Sequence, residues 1–104
     1  MQGGRRRNRN KMEIVADILR VAVPGARKTH IMYGANLSFE QLEKYLDVLL
    51  VRGLLDNETE EGEYKTTETG MAYLRDFKEY RKHQETFEDK KRLLEGALEG
   101  HQAQ

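Results

Sequence analysis

The sequence predicts a mainly helical α+β fold, in which one small domain is followed by a long C-terminal helix. Apolar residues recur at helical spacing in three segments between residues 12 and 52. Two short strand-like segments follow between residues 54 and 67. The last third of the chain then carries apolar residues at alternating steps of four and three. A chain of 104 residues has room for one such domain and an appendage.

The first eleven residues, MQGGRRRNRNK, contain five basic residues, no acidic residue and no apolar residue after the initial methionine. Such a segment cannot bury enough apolar surface to offset the entropy lost on ordering, so a disordered basic arm is predicted over residues 1–11. The whole chain has a net charge of zero, so residues 12–104 together carry a net charge of −5. A flexible basic arm can contact DNA phosphates or enter a minor groove. A simple solubilising tail is the alternative. The arm residues predicted to bind DNA are Arg5, Arg6, Arg7 and Arg9.

The first helix is predicted over residues 12–23, where apolar residues recur at steps of three and four from Val15 to Ala22. Pro24 ends it, because the ring disfavours helical geometry at the preceding residue. A second, short helix is predicted to start at Thr29, with the Thr29 hydroxyl as its N-cap.

The third helix has the clearest boundaries. Gly34 or Asn36 is expected to supply the positive φ of the turn before it. Ser38 and Gln41 have the spacing of a capping box, and Gly53 follows the last amphipathic turn as a left-handed C-cap. Two helices joined by a short turn, the second capped and amphipathic, are typical of a helix-turn-helix.

A β-hairpin is predicted next, because LLDNE and EYKTT are short enough for strands and the TEEG loop between them contains a glycine. Thr67 is placed to cap a helix that starts at Glu68. Residues 26–28 are available as a short third strand. Three helices and a hairpin make a winged-helix domain, predicted over residues 12–67. Residues 56–63 carry five acids and no base, which counts against a contact between this wing and DNA.

The last helix is predicted over residues 68–98, with a disordered tail over residues 99–104. The side chains at heptad spacing form a seam along this helix. A single helix that leaves a small domain has no partner in its own chain for the outer half of the seam, so a second copy of the chain is expected to cover that half. The alternative is that Tyr73, Leu74 and Phe77 pack on the domain while the residues beyond 82 form a solvated helix. The seam consists of Tyr73, Phe77, Tyr80, Gln84, Phe87, Lys91, Leu94 and Leu98.

Four motifs, ADILRVA, GARKTHIMYGANLSFEQLEKYL, LLVRGLL and YKTTETGMAYL, lie between residues 12 and 80. This run resembles an archaeal winged-helix family whose members dimerise through a long C-terminal antiparallel coiled coil. Several members are DNA-binding, chromatin-associated or transcription-regulating proteins. The resemblance implies a homodimer that binds double-stranded DNA, with the helix beginning at Ser38 as the recognition helix.

An antiparallel pairing of the seam favours one register. In it Phe77 faces Leu94 of the second copy and Gln84 faces Phe87, while the flanking Arg81 lies opposite Glu88. Slipping by one heptad in either direction brings like charges together. Arg81 and Glu88 therefore join the seam residues in the predicted dimer interface.

If DNA is bound, eight residues of the helix-turn-helix are candidates for contacting it. Those around the start of the second helix suit phosphates, and those in the first two turns of the third helix suit base edges. Three of the third-helix residues have structural alternatives: Gln41 completes its capping box, Phe39 is core, and Lys44 pairs with Glu40. Glu40, Glu43 and Asp47 share the outer face, which argues against extensive base reading by cations. The candidates are Arg27, Lys28, Thr29, His30, Ser38, Phe39, Gln41 and Lys44.

Other functional classes find little support in the sequence. The chain has no cysteine, and His30, His83 and His101 lack ligand spacing, so no metal or other cofactor is expected. No phosphate-binding glycine loop, membrane span or small-molecule site is apparent. The prediction is a cytoplasmic, chromosome-associated, non-enzymatic DNA-binding homodimer, either a transcription regulator or a chromatin factor. A protein-protein adaptor that uses the acidic wing is the alternative.

Overall fold

The winged helix and the long C-terminal helix predicted from the sequence are both present in the computed structural model, which describes residues 9–57 and 59–102. Strands β1 and β2 form an antiparallel hairpin, in which Leu55 pairs with Thr66 and Asp56 with Lys65. The fold class is therefore confirmed as mainly helical α+β. In chain order the elements are α1 (Lys11–Val21), α2 (Lys28–Gly34), α3 (Phe39–Val51), β1 (Leu55–Asp56), β2 (Lys65–Thr66) and α4 (Glu68–Gln102).

Helix α1 begins inside the segment that was predicted to be a disordered arm. The Asn10 side chain accepts a hydrogen bond from the Glu13 amide at 2.9 Å, and the Glu13 carboxylate accepts one from the Asn10 amide at 2.9 Å. This capping box satisfies amide groups that the helix itself leaves unpaired. The prediction of disorder is therefore wrong for residues 9–11, and the rest of the predicted arm, residues 1–8, lies outside the described part of the chain.

Helix α2 starts one residue earlier than predicted. Its N-cap is Arg27, which makes no side-chain capping bond, so Thr29 is not the cap. The cause is the backbone of Ala26, which exchanges two hydrogen bonds with Tyr64 at 2.9 and 2.8 Å. This antiparallel bridge holds the chain extended up to the first helical residue. The third strand predicted over residues 26–28 is thereby reduced to a bridge at Ala26.

The turn between α2 and α3 uses Asn36, which has a φ of 57°. Gly34 is instead the last residue of α2 and packs closely on α1. A Cβ atom at Gly34 would lie 2.9 Å from a methyl carbon of Val21, so only glycine fits without movement of that side chain.

Both ends of α3 are capped as predicted. Ser38 and Gln41 form the capping box, with both hydrogen bonds at 3.1 Å. Gly53 has a φ of 77°, and the amide of Leu54 donates to the Leu49 carbonyl at 2.9 Å. That bond is the long-range contact of a Schellman motif.

The core lies where α1, α2, α3 and β1 meet. Thr66 seals the hairpin to it, because its buried hydroxyl donates to the Leu19 carbonyl of α1 at 2.7 Å. Thr67 caps α4 by accepting a bond from the Gly70 amide at 3.1 Å, which confirms its predicted role. The side chains of the core that are almost completely buried are Ile18, Leu19, Ile31, Leu42, Leu46 and Leu49.

Helix α4 extends to Gln102, beyond residue 98 where it was predicted to end. Residues 99–102 of the tail that was predicted to be disordered are therefore helical, and residues 103–104 lie outside the described part of the chain. The first three turns of α4 pack on α1, whereas residues 82–99 have exposed side chains. Within residues 9–57 and 59–102, no helix is long and apolar enough to cross a membrane.

Candidate nucleic-acid interface

The face of α3 that points away from the core is exposed over three turns of helix. Leu42, Leu46 and Leu49 anchor the opposite face in the core. Because the helix is amphipathic, the outward residues fall on the other side of the wheel. Two of them are acidic and two are basic, so this surface is formally neutral. We define the outward face as Arg52, the C-cap of α3, together with the helical residues Glu40, Gln41, Lys44, Asp47, Val48 and Val51.

Lys28 ties the start of α2 to α3. Its ammonium nitrogen lies 2.5 Å from a carboxylate oxygen of Glu43 and 5.4 Å from the centre of the Phe39 ring. The hydrogen bond to Glu43 favours the charged form and raises the pKa of Lys28 above its ordinary value. This ion pair neutralises one of the three acids that the sequence places on α3. The same pair reduces the charge that Lys28 can offer to a phosphate.

The other predicted residues at the start of α2 remain accessible. Arg27, Thr29 and His30 have exposed side chains. They lie beside the first turn of α2, where unpaired amide groups and the helix dipole favour an anion.

The three structural alternatives for the start of α3 have different outcomes. Gln41 does complete the capping box, since its side-chain oxygen accepts a bond from the Ser38 amide. Phe39 is 57% exposed and is not a core residue. Lys44 is exposed and forms no ion pair with Glu40 or with any other acid in the described ranges. Phe39 and Lys44 are therefore available to a partner, while the amide oxygen of Gln41 is occupied.

Arg9 occupies a different place from the one expected of an arm residue. One guanidinium nitrogen lies 2.6 Å from an Asp17 carboxylate oxygen and 2.7 Å from the Ala35 carbonyl, and the other donates to the Asn36 carbonyl at 2.9 Å. Arg9 therefore fastens the start of the domain to the turn between α2 and α3. A contact between Arg9 and DNA stays a prediction. Arg5, Arg6 and Arg7 lie outside the described residues.

The wing is acidic at its tip, as its sequence indicated. Glu60 and Glu61 are exposed on the loop between β1 and β2. Thr59 closes that loop, because its hydroxyl accepts a bond from the Glu63 amide at 2.8 Å. Carboxylates in this position repel DNA phosphates, so the wing does not contribute a basic surface.

The inner part of the predicted dimer seam has partners within the chain. Phe77 is 7% exposed and its ring stacks on that of Tyr73, with the centroids 6.4 Å apart. The Tyr73 hydroxyl donates to the Met12 carbonyl at 3.0 Å. Arg81 lies over the Phe77 ring, and its guanidinium is 3.4 Å from Glu13. This half of the helix matches the alternative in which it packs on the domain.

The outer part of the seam is exposed in the single chain. Phe87 is 65% exposed, and Leu94 and Leu98 are similarly accessible. Gln84, Glu88 and Lys91 lie among them, also exposed. Coverage of these residues by a second copy stays a prediction.

Sequence reasoning missed two accessible residues of α3. Val48 is 53% exposed and Val51 is 83% exposed, on the outward face beside Lys44. Helical periodicity was used to identify the residues that face the core, so apolar residues on the opposite side of the helix were not identified. Their spacing of three, out of phase with Leu42 and Leu46, is the signal that identifies them. Among the residues described, no cluster of three potential metal-ligating side chains occurs.

Comparison with known proteins identifies the domain. A family model described as a winged helix-turn-helix matches residues 8–85. The chain belongs to this winged helix-turn-helix family. An uncharacterised protein from Methanocaldococcus jannaschii is 36% identical over 67 residues, which cover 64% of this chain and 67% of that protein.

A solved structure provides a further likeness. The crystal structure of Sso10a-2, described as a DNA-binding protein from Sulfolobus solfataricus, matches with a TM-score of 0.79 and 34% identity. The match covers 86% of this chain and 97% of that one. Both relatives come from archaea, which confirms the resemblance seen in the sequence. The winged helix-turn-helix and this similarity support DNA binding.

Proposed function

We propose that this protein is a homodimeric DNA-binding protein that acts as a transcription regulator or a chromatin-associated factor. The observation that carries the proposal is the outward face of α3, which is exposed along its length in a domain of the winged helix-turn-helix family. A helix presented in this way can enter the major groove of B-DNA. Such a protein would act on the chromosome in the cytoplasm, and the proposal involves no catalysis.

The residues proposed to contact phosphates are the exposed basic side chains around the helix-turn-helix. Arg27 and His30 lie at the start of α2, and Lys44 projects from the second turn of α3. Thr29 is exposed beside them. Lys28 contributes less than these residues, because it is already hydrogen-bonded to Glu43. Arg5, Arg6 and Arg7 supply further positive charge at the N-terminus.

Fluorescence anisotropy with labelled duplexes tests this assignment. The double variant Arg27→Ala and Lys44→Ala is expected to bind duplexes of different sequence more weakly and to a similar extent, because phosphate contacts carry no sequence information. The slope of log affinity against log salt should fall by about 0.9 for each phosphate that the variant no longer neutralises. Lys90→Ala, which removes an exposed cation from the outer part of α4, is the matched control and should change neither quantity. Unchanged affinity of the double variant would exclude this surface.

The contribution of the N-terminal basic residues is tested by deletion. The deletion must stop at residue 8, because Arg9 and Asn10 are part of the domain. Loss of residues 1–8 should weaken binding and reduce its salt dependence. A truncated protein with the full salt slope would show that these residues make no phosphate contact.

The homodimer is proposed to form through the outer seam of α4 in the antiparallel register. Cysteine cross-linking tests the register. A mixture of Gln84→Cys chains and Phe87→Cys chains should form a disulfide more readily than Gln84→Cys chains alone. Efficient linking of Tyr80→Cys chains to each other would indicate a parallel pairing instead.

The second candidate is a protein-protein adaptor, and the acidic wing is the observation that favours it. An adaptor would bind no duplex at low salt or at moderate salt. Retained dimerisation together with absent DNA binding would therefore replace the first proposal with the second.

A further inference from the structure

Two exposed apolar side chains, Val48 and Val51, lie in the C-terminal half of the outward face. Lys44, Val48 and Val51 follow one another at steps of four and three, so they form one stripe along α3. Val51 is the most exposed large apolar residue of the described chain, and Val48 is half exposed. Isolated exposed apolar residues are ordinary, but two adjacent ones on a helix that the fold presents to a partner indicate a contact.

The charges around this pair suit a duplex. Lys44 precedes the valines and Arg52 follows them, so a cation lies at each end of the apolar stripe. The acids on the same face, Glu40 and Asp47, are equal in number to these cations. The third acid of the helix, Glu43, is paired with Lys28. A neutral surface with cations at its ends can approach the groove floor while the cations reach the phosphate strands.

Base edges in the major groove offer one apolar group, the C5 methyl of thymine. Along α3, Val48 and Val51 are separated by about 4.5 Å, from three residues at about 1.5 Å each. This separation is close to the spacing of successive bases along one strand, about 3.4 Å. Two valines at this spacing can therefore touch methyl groups on one or two neighbouring A·T pairs.

We propose that Val48 and Val51 give the protein a preference for thymine-containing sequence by packing against thymine methyl groups in the major groove. This inference rests on the proposed DNA-binding function. It assigns the recognition of bases to apolar contacts. Few polar side chains are available for this role, because Gln41 caps α3 and few cations are free. Phe39 is the competing reader, because it is also exposed on α3.

The test uses duplexes that differ only at the C5 position of the pyrimidine. Affinity is measured by anisotropy for an alternating A·T duplex and for the same duplex with deoxyuridine in place of thymidine, which lacks the methyl group. The native protein should bind the deoxyuridine duplex roughly three- to fivefold more weakly for each methyl contacted, the effect of exposing one buried methyl group. A G·C duplex should gain affinity when 5-methylcytosine restores a methyl at the same position.

The double variant Val48→Ser and Val51→Ser assigns the effect to these residues. Both positions are exposed, and serine and valine have similar helix propensities, so the fold is expected to be retained. The variant should bind the thymidine and deoxyuridine duplexes equally. Leu93→Ser is the matched control, an exposed apolar residue of α4 outside the seam, and it should keep the full discrimination. Circular dichroism of each variant verifies folding.

Each of the other outcomes overturns the inference in a distinguishable way. Equal binding of both duplexes by the native protein would remove methyl reading and leave DNA binding intact. Equal discrimination by the native protein and the serine variant would move the methyl contact to Phe39 or to another residue. No binding to any duplex would remove the proposed function together with the inference.

Discussion

The inner and outer halves of α4 carry the same heptad seam but have different surroundings. In the inner half Tyr73 and Phe77 lie against α1, whereas in the outer half Phe87, Leu94 and Leu98 are exposed. The heptad spacing does not change at the boundary. What changes is α1, which begins at Lys11 and offers its first turns to the inner half. The same heptad pattern therefore includes residues that pack within the chain and residues whose coverage by a second copy stays a prediction.

The largest expected difference between the halves comes from their phenylalanines. Phe77→Ala removes a buried ring at the contact between α1 and α4, so the free energy of unfolding should fall by about 3 kcal/mol. Phe87→Ala removes an exposed ring. In the monomer it should change that free energy by no more than about 0.5 kcal/mol. Urea unfolding at several protein concentrations measures both.

The concentration series also addresses the dimer. The destabilisation caused by Phe77→Ala should be present at every concentration, because that packing is intramolecular. The destabilisation caused by Phe87→Ala should appear only where the native protein is dimeric, since association stabilises the folded state by mass action. Equal destabilisation by Phe87→Ala at all concentrations would mean that Phe87 packs within its own chain.

Two glycines of α4 provide a second comparison, because replacing them with alanine should change the free energy of unfolding in opposite directions. A Cβ atom at Gly70 would collide with the Leu54 carbonyl oxygen and lie 2.6 Å from a methyl carbon of Thr66. Gly70→Ala should therefore destabilise the domain by about 1–3 kcal/mol through overpacking.

Gly96 is the matched control, because a Cβ atom there would meet nothing within 4 Å. Gly96→Ala should stabilise the outer helix by about 0.5–1 kcal/mol, the usual gain when alanine replaces glycine inside a helix. Thermal unfolding followed by circular dichroism measures both variants. A stabilising Gly70→Ala would show that the start of α4 is less tightly held against Leu54 and the β2 residue Thr66 than the structure indicates.

The parts of the fold that sequence predicted well depend on local signals. The capping box at Ser38, the cap at Gly53 and the cap at Thr67 each follow from residues within one turn of the helix end. The start of α2 was placed wrongly because it depends on Ala26 pairing with Tyr64, 38 residues away in the chain. Pairings of this kind leave no periodic trace in the sequence.

The candidate nucleic-acid interface was likewise predictable only where it depends on local sequence signals. The placement of α3 and its neighbours followed from helical periodicity, and charge alone identified the cations. Charge does not reveal that Arg9 is held by Asp17 or that Lys28 is held by Glu43. Lys28 and Glu43 belong to different helices, and Arg9 lies before the first residue of α1, so only the folded chain shows which cations remain accessible.

The smallest expected effect compares Tyr73, in the inner half of α4, with Tyr80, at the boundary with the outer half. The compared quantity is the free energy of unfolding and its dependence on pH. The Tyr73 hydroxyl donates to the Met12 carbonyl at 3.0 Å, and partial burial raises the pKa of Tyr73 above its ordinary value of 10.0. The folded state therefore holds the phenolic proton more tightly than the unfolded state does. The stability that this proton preference contributes is fully present below pH 10 and is lost as pH rises through the folded-state pKa.

Tyr73→Phe should cost about 1 kcal/mol at neutral pH, the net value of one hydrogen bond, and should flatten the loss of stability in alkaline solution. Tyr80→Phe is the control, because the Tyr80 side chain is exposed at the boundary with the outer half. It should leave the free energy of unfolding within about 0.5 kcal/mol of the native value and keep the alkaline loss. Urea unfolding at neutral and alkaline pH measures both variants. If Tyr73→Phe retains the full alkaline loss, another group titrates there, and the packing of Tyr73 against α1 does not account for the pH dependence of the inner half.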